Sequence, residues 1–392
     1  MKMNFKTESG TLTIYLEGRI DSGNVESVSA ELDRVIAENP AERLVLDADE
    51  LQYISSAGLR MILRLRKENA TLKIINANSE VYEIFDMTGF TEMLDIEKAY
   101  RKMSVEGCKV IGQGANGKVY RLDDEIIIKV YFNSDALPDI QRERELARKA
   151  FVLGIPTAIP FDIVRVDGSY GSVFELLNAD SFAELMAKEP ENVGKYTDLY
   201  VDLLKKIHST EVKKTDMPDM KAVALNWATF LKDYLSADKY EKLYSLIENV
   251  PERTTMLHGD YHIKNVMMQN GEVLLIDMDT LCYGDPVFEF ASIYLAYIGY
   301  AEMDHEIVKN FIGIDYETAC GIWENTLKLY FGTEDEAVLR EYSDKARIVG
   351  YTRLIRRNIR RGALETEKGR AEIENAKKQL CELLDRVESL KF

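Results

Sequence analysis

Three polar residues near the middle of the chain have the spacing that phosphoryl transfer requires. Asp260 lies five residues before Asn265, and Asp277 follows Asn265 by twelve residues, after an apolar segment that predicts a strand. Phosphoryl transfer uses one carboxylate to accept a proton, and an amide oxygen with a second carboxylate to hold Mg²⁺ against nucleotide phosphates. This chemistry also needs a nucleotide-binding segment elsewhere in the chain.

A glycine-rich segment upstream can supply that need. Gly112, Gly114, Gly117 and Val119 form the pattern G-x-G-x-x-G-x-V. Dinucleotide-binding folds use similar glycines, but there the third glycine leads into a helix. Here the residues after Gly117 predict a strand, a turn at 123–124 and a second strand, so we predict a hairpin over phosphates. Glycine permits both close backbone approach and unusual dihedral angles at such a site.

Lys129 lies inside the second predicted strand, among β-branched residues. A buried lysine needs an anionic partner; the alternative is an edge-strand lysine that points to solvent. The next predicted helix offers Glu143, in the middle of an apolar face, whereas Glu145 lies on the opposite side. That face consists of Ile140, Ala147, Ala150 and Phe151. We therefore predict a Lys129–Glu143 pair, with two surface glutamates as the alternative.

From about residue 104 onward the chain resembles the aminoglycoside phosphotransferase and choline kinase-like superfamily, which comprises small-molecule relatives of the protein kinases. The residues that carry the resemblance are the glycine-rich segment 112–119, Lys129, Glu143, His258-Gly259-Asp260, Asn265 and Asp277. Segment 284–291 is also similar, with Glu289 where the family usually has Asp. Asp279 is an additional carboxylate beside Asp277 that either assists or is solvated.

The resemblance implies an α+β, protein kinase-like fold with a β-rich N-lobe at about 105–176 and a helical C-lobe at about 177–392. It implies that Asp260 is the catalytic base and that Lys129, held by Glu143, binds the α- and β-phosphates of ATP. Asn265 and Asp277 would hold Mg²⁺. The residues assigned to nucleotide binding are Gly112, Gly114, Gly117, Val119, Lys129, Glu175 and Leu177.

Several protein-kinase features are absent from the sequence. His-Gly-Asp replaces His-Arg-Asp, Asp-Met-Asp replaces Asp-Phe-Gly, and no Ala-Pro-Glu follows. The arginine and the long activation segment allow phosphorylation to order a peptide-binding platform in protein kinases. A small-molecule acceptor is therefore favoured over a protein acceptor.

The first hundred residues alternate between strand and helix patterns, which predicts a small α/β domain. Strands are expected at 11–16, 43–47 and 72–76, and helices at 25–36 and around 79–87, with a further helix opened by segment 53–60. This segment resembles the STAS domain, the fold shared by anti-sigma-factor antagonists and transporter tails. The carrying residues are 16–21, 46–47 and 54–59.

Ser56 occupies the position at which the antagonists carry a serine that a partner kinase phosphorylates, and Ser55 replaces the Asp that often precedes it. A phosphate at a helix start would meet free backbone N–H groups and the positive end of the helix dipole. The resemblance thus implies a phosphosite at Ser56 and a protein partner for the STAS domain. The alternative is that both serines only cap the helix.

The two resemblances tile the 392 residues as a STAS-like domain at 1–98, a short linker at 99–104 and a phosphotransferase domain at 105–392. The formal net charge of −17 disfavours nucleic acid and anionic membranes as partners. The sequence shows no signal-peptide pattern, no apolar run of transmembrane length and no metal spacing among its four cysteines. We therefore expect a cytoplasmic bacterial protein with reduced thiols.

A basic stripe is predicted on one late helix. It consists of Arg353, Arg356, Arg357, Arg360 and Arg361. The stripe either binds an anionic acceptor, docks on an acidic surface such as the STAS domain, or is a solvated face with ordinary surface pairs. A charged amphipathic helix is predicted after it, at 366–390.

These patterns together predict an ATP- and Mg²⁺-dependent kinase of a small hydroxyl- or amine-bearing molecule, with the STAS domain as regulator. Two alternatives stay open. The chain could be a protein serine kinase that acts on Ser56 or on a partner, or a nucleotide-binding signalling adaptor without turnover.

Overall fold

The computed structural model describes residues 3–114, 116–133, 136–158 and 160–392. The chain divides into two compact units. One comprises Met1–Ser104 with Ile163–Gly168, and the other comprises Val105–Asp162 with Ser169–Phe392. Among the described residues, no helix is long and apolar enough to cross a membrane.

The first unit is built on a five-stranded sheet. Its elements are β1 (Phe5–Glu8), β2 (Thr11–Ile20), α1 (Val25–Glu38), β3 (Arg43–Ile54), α2 (Ser56–Glu68), β4 (Lys73–Ala77), α3 (Ser79–Met87), β5 (Asp95–Lys98) and β6 (Lys102–Met103). The sheet order is β1-β2-β3-β4-β5, with β1 antiparallel to β2 and every other pair parallel. Parallel neighbours need a crossover, and α1, α2 and α3 provide the three crossovers.

The core of this unit follows the alternation in its strands. Leu12, Ile14 and Leu16 of β2 are buried together with Val28 and Leu32 of α1. The structure extends two predicted strands, β2 to Ile20 and β3 to Ile54. It also adds β1, which the sequence did not reveal because all of its residues are exposed and carry no apolar alternation.

The rest of the chain has strands first and then mostly helices. The elements are β7 (Lys109–Gln113), β8 (Gly117–Arg121), β9 (Ile126–Tyr131), α4 (Leu137–Val152), β10 (Pro160–Val166), β11 (Ser169–Glu175), β12 (Asp180–Ser181), α5 (Phe182–Lys188), α6 (Val193–His208), α7 (Met220–Phe230), α8 (Ala237–Glu248), β13 (Met256–Leu257), β14 (Val266–Gln269), β15 (Glu272–Leu275), β16 (Cys282–Tyr283), α9 (Pro286–Tyr294), α10 (Glu306–Ile312), α11 (Tyr316–Phe331), α12 (Glu336–Arg360) and α13 (Glu367–Leu384). Helix α13 is shorter than the predicted helix at 366–390. Strand β6 lies in the segment predicted as a linker and pairs in parallel with β10.

An antiparallel sheet holds the glycine-rich hairpin and the lysine strand. Strand β8 pairs with β7 and β9, and β11 pairs with β9. Helix α4 follows β9 and buries Ile140, Glu143, Leu146, Ala147 and Ala150. Phe151 was predicted on this buried face, but it is 50% exposed and Leu146 is buried instead.

The helical part of the second unit is organised around α9. Every residue from Val287 to Tyr294 is buried, as expected of a helix with apolar residues on all sides. Glu289 is the one charged residue of α9, and it is completely buried. A buried carboxylate needs hydrogen-bond donors around it, and these donors come from the loop that carries Asp260.

Candidate active site

Lys129 lies between two carboxylates from distant parts of the second unit. Its Nζ is 3.0 Å from Oε1 of Glu143 on α4 and 3.3 Å from Oδ1 of Asp277, which is 148 residues away. The hydroxyl of Tyr131 donates to Glu143 at 2.7 Å. Burial acts to lower the pKa of Lys129, but the charges of Glu143 and Asp277 outweigh it, so the pKa is raised. The lysine is therefore a fixed cation beside Asp277.

The loop that precedes Asp260 is anchored by buried polar groups. The backbone N–H groups of His258 and Gly259 donate to the carboxylate of Glu289, with Gly259 at 3.0 Å. The carbonyl oxygen of Gly259 accepts from Ser292 at 2.9 Å and from Arg353 at 3.1 Å. Because the N–H and carbonyl groups of Gly259 are both hydrogen-bonded to side chains of α9 and α12, these two helices fix the position of Asp260.

Gly259 could not be another residue in this loop. Its φ of 83° lies in the left-handed region, and an added Cβ would come within 2.5 Å of the carbonyl oxygen of Thr280. The His258 ring has a structural role: Nδ1 accepts from the Asp260 N–H at 3.3 Å, and Nε2 lies 3.2 Å from the carbonyl oxygen of Ile276. This ring therefore joins the Asp260 loop to the residue that precedes Asp277.

Asp260 is the exposed carboxylate at the end of this anchored loop, with 41% of its side chain accessible. Its Oδ2 is 3.6 Å from Nε2 of His262. Burial acts to raise the pKa of Asp260, but the contact with His262 and the charges of His262 and Arg353 lower it to about 2. The group is an ionised, accessible acceptor for a proton at neutral pH.

Asn265, Asp277 and Asp279 carry the side-chain oxygen atoms that are candidates to hold a cation. The Asn265 amide nitrogen donates to the carbonyl oxygen of Asp260 at 3.0 Å, which leaves the amide oxygen as the end available to a cation. Asp277 has a φ of 64°, an uncommon conformation that Asp tolerates better than most residues. Burial and the charges of Asp277 and Glu143 raise the pKa of Asp279 to about 7. This excess of negative charge on oxygen ligands fits a divalent cation such as Mg²⁺.

The protein ligands for such a cation are few. Among the described residues, no group of three or more His, Cys, Asp or Glu side chains forms a complete metal site.

The glycine-rich hairpin differs from expectation in one respect. None of Gly112, Gly114 and Gly117 has a positive φ, so unusual dihedral angles are not the reason for these glycines. Gly117 is required for packing, because an added Cβ would lie 2.3 Å from the carbonyl oxygen of Val130. An added Cβ on Gly114 would meet no atom within 4 Å, and on Gly112 it would make an ordinary contact with Val119 at 3.7 Å. Space at Gly114 is open to a ligand.

The other two residues assigned to the nucleotide lie at the end of β11. Glu175 pairs with Ile126 and is exposed, while Leu177 follows the strand and is half-buried. The structure thus places Glu175 at the end of the strand that pairs with the Lys129 strand, and Leu177 two residues beyond it.

A cavity of about 260 Å³ lies beside the Asp260 loop. Phe311 lines it and contacts the His262 ring, with the ring centroids 5.1 Å apart. Tyr300 and Arg357 line it as well. The cavity therefore lies within two side chains of Asp260.

Sequence reasoning missed the residues that support the site. Glu289 was an open question, and neither Ser292 nor Tyr131 was singled out. Arg353 was noticed only as part of the basic stripe. The position of Glu289 in an otherwise largely apolar helix was the available signal for its role. Nothing in the sequence indicates that Arg353 contacts Gly259, which lies 94 positions away.

Ser55 and Ser56 have different positions in the first unit. Ser55 is the N-cap of α2 and accepts from the Gly58 N–H at 3.4 Å. Ser56 is the first helical residue and is exposed. Capping therefore accounts for Ser55 alone.

Comparison with known proteins places these two units in two families. Residues 107–318 match the profile of the APH phosphotransferase enzyme family, which covers more than half of the chain. The chain belongs to this phosphotransferase family. Residues 2–103 match the STAS domain. The predicted fold class, a small α/β STAS domain followed by a protein kinase-like domain, is confirmed.

Relatives of the STAS domain are bacterial. BtrV of Bordetella bronchiseptica, named as an anti-sigma factor antagonist, is 34% identical over 100 residues, which are 24% of this chain and 85% of that protein. The anti-sigma F factor antagonist of Paenibacillus polymyxa is 24% identical over 100 residues, which are 24% of this chain and 86% of that protein.

Solved structures similar to the chain include two phosphotransferases of different names. ADP-bound aminoglycoside phosphotransferase APH(2'')-Ib has 14% identity and a TM-score of 0.49, and the match covers 77% of this chain and 98% of that one. A choline/ethanolamine kinase family protein from Mesorhizobium loti has 13% identity and a TM-score of 0.45, with 71% and 88% covered.

Proposed function

We propose that this phosphotransferase transfers the γ-phosphoryl group of ATP to a hydroxyl or amine group of a small molecule. The proposal rests on the contacts of Lys129 with Glu143 and Asp277. A lysine that is paired with one carboxylate, and that lies beside a second carboxylate able to bind Mg²⁺, is an arrangement that binds nucleotide phosphates. A nucleotide-binding adaptor would have no need for an ionised, accessible Asp260 at the end of an anchored loop.

Each residue has a separate task in the proposed reaction. Asp260 accepts the proton of the attacking group, and its low pKa keeps it ionised. Lys129 binds the α- and β-phosphates, and the hairpin with Gly114 covers them. Mg²⁺, when bound at Asn265 and Asp277, would neutralise charge on the phosphates. Glu175 and Leu177 contact the rest of the nucleotide.

The experiment is nucleotide turnover with Mg²⁺ and a panel of acceptors of different charge: glycerol 3-phosphate, glucose 6-phosphate, glycerol, glucose and choline. Asp260→Asn and Lys129→Met should each reduce kcat/KM at least a hundredfold, which corresponds to about 2.7 kcal/mol of transition-state stabilisation. Lys109→Met, an exposed lysine of β7, is the matched control. Wild-type turnover equal to that of Asp260→Asn on every acceptor would refute the proposal.

We also propose that the STAS domain regulates the chain through a protein partner and that Ser56 accepts a phosphate. Exposure of Ser56, together with capping by Ser55, supports this second role. The STAS relatives are named as anti-sigma factor antagonists, which act on a partner protein.

The test for Ser56 uses labelled ATP. The protein is incubated alone and with a bacterial extract, beside Ser56→Ala and Ser79→Ala as a control at another helix start. Label on the wild type and on Ser79→Ala, but not on Ser56→Ala, supports the phosphosite. If Asp260→Asn is still labelled when the extract is present, a separate kinase transfers the phosphate. If the wild type is labelled without extract and Asp260→Asn is not, this chain transfers it. Equal labelling of Ser56→Ala and the wild type contradicts the phosphosite.

A further inference from the structure

Among the described residues, the arginines near the end of α12 form no ion pair with a carboxylate, although the chain is strongly acidic and the charge of Arg353 acts on Asp260. Acidic residues number 67 and basic residues 50, and most other ion pairs in the second unit join surface residues. Within the described residues, no carboxylate lies within 4.0 Å of Arg353, Arg356 or Arg360. Arg356 also has a buried Nε atom without a hydrogen-bond partner. A group of arginines without ion pairs is unexpected in a protein with this excess of acidic residues.

Aromatic rings hold several of these arginines in place. The guanidinium carbon of Arg353 lies 5.6 Å from the ring centre of Trp227, and that of Arg356 lies 5.8 Å from the ring centre of Phe230. Both rings belong to α7. These distances are in the range of cation–π contacts, which restrict a guanidinium group without using its N–H groups as donors. The side chains are thus ordered before any anion binds.

The first of these arginines, Arg353, contacts the loop that carries Asp260. Arg353 donates to the carbonyl oxygen of Gly259, the residue before Asp260. Arg356 lies one helical turn further along α12 and Arg360 two turns, which places them about 5–10 Å along the helix axis from Arg353. Burial and the charge of Arg360 lower the pKa of Arg356.

Two simpler explanations account for only part of the cluster. Basic residues in the last turn of a helix interact favourably with the helix dipole, and that applies to Arg357 and Arg360. The dipole effect fades within one turn, so it does not explain Arg353 or Arg356. Packing explains the ring contacts, but an uncharged side chain would pack on Phe230 without the repulsion between two arginines.

We propose that the acceptor of this phosphotransferase is an anionic molecule, a hydroxylated phosphate or carboxylate whose charged group binds Arg356 and Arg360 while its hydroxyl faces Asp260. The proposal rests on the proposed function. In the transfer, the acceptor oxygen forms a bond to the γ-phosphorus of ATP, the bond from that phosphorus to the β–γ bridging oxygen breaks, ADP leaves, and Asp260 takes the hydroxyl proton.

The first test measures binding of inorganic phosphate by titration calorimetry, with Mg²⁺ and a non-hydrolysable ATP analogue present so that the nucleotide site is filled. Arg356→Gln and the exposed Arg360→Gln should each weaken phosphate binding about tenfold or more, the effect of losing one charged hydrogen bond. Arg340→Gln, an exposed arginine at the other end of α12 with the same change in net charge, should not. Equal phosphate affinity in all four proteins overturns the proposal and assigns the arginines to packing or to protein docking.

The second test uses the acceptor panel. We expect turnover with glycerol 3-phosphate or glucose 6-phosphate to exceed turnover with glycerol, glucose and choline. Arg360→Gln should raise KM for the anionic acceptor about tenfold and leave kcat within a factor of two to three. Turnover with neutral or cationic acceptors only overturns this proposal and leaves the proposed function intact. Phosphate binding that depends on Arg356, without turnover of any acceptor, counts against the proposed function and supports the anion site.

Discussion

Replacement of Glu289 by Gln tests whether a single buried carboxylate positions the Asp260 loop. Glu289 is completely buried and accepts from the N–H groups of His258 and Gly259. Gln keeps the volume and one acceptor oxygen, but its NH₂ group then faces a backbone N–H. One charge-assisted hydrogen bond is lost, and one buried donor is left without a partner.

The expected cost follows from these contacts. A hydrogen bond to a charged group contributes about 1.5–3 kcal/mol, and removal of a buried charge offsets part of that loss because the charge no longer has to be desolvated. We expect a net loss of about 2 kcal/mol in the free energy of unfolding, or a fall of about 3 °C in Tm for a unit of this size. If the Asp260 loop moves by about 1 Å, kcat falls about a hundredfold.

Thermal unfolding and steady-state turnover measure the two effects separately. Glu289→Asp keeps the charge and should retain more stability and activity than Glu289→Gln, because the family usually has Asp here. Glu317→Gln, at an exposed position of α11, controls for the loss of one negative charge. Stability and kcat of Glu289→Gln within error of those of Glu317→Gln would show that the carboxylate does not position the loop.

Two further predictions concern the hairpin and the base. Gly117→Ala should lower the free energy of unfolding by about 1–3 kcal/mol, because its Cβ would overlap the carbonyl oxygen of Val130. Gly114→Ala should leave stability unchanged and weaken only nucleotide binding. Chemical denaturation and nucleotide titration measure the two effects, and equal stability of the two variants contradicts the packing argument. His262→Phe removes the contact that lowers the pKa of Asp260, so this pKa should rise from about 2. The acidic side of the pH profile of kcat/KM should then move to higher pH. Coincident pH profiles of the variant and the wild type would exclude this role for His262.

Local patterns were sufficient to predict much of the fold. Helix α4 was expected from its turn residues and apolar face, and Glu143 was expected to point inward because it lies in the middle of that face. The predicted fold class is confirmed because the two sets of motifs belong to separate families. Exposed strands such as β1 were missed, because hydrophobic alternation is the signal by which a strand is recognised and β1 has none.

Support for the site could not be predicted in the same way. Arg353 looked like one member of a surface stripe, and its contact with Gly259 depends on how α12 packs beside α9. Glu289 looked like an imperfect match to the family. Its contacts with two backbone N–H groups become visible only when the loop and the helix are in place.

The sequence by itself determined the chemistry that this protein carries, because the residue types and spacings around Lys129, Asp260 and Asp277 are local properties of the chain. Only the tertiary structure decided which groups hold that chemistry in position, since hydrogen bonds between residues 30 to 148 positions apart form when helices and strands pack. The arginines on α12 are the clearest case. Their spacing is visible in the sequence, but the contacts of Arg353 and Arg356 with α7, and that of Arg353 with Gly259, come from the packing of distant helices.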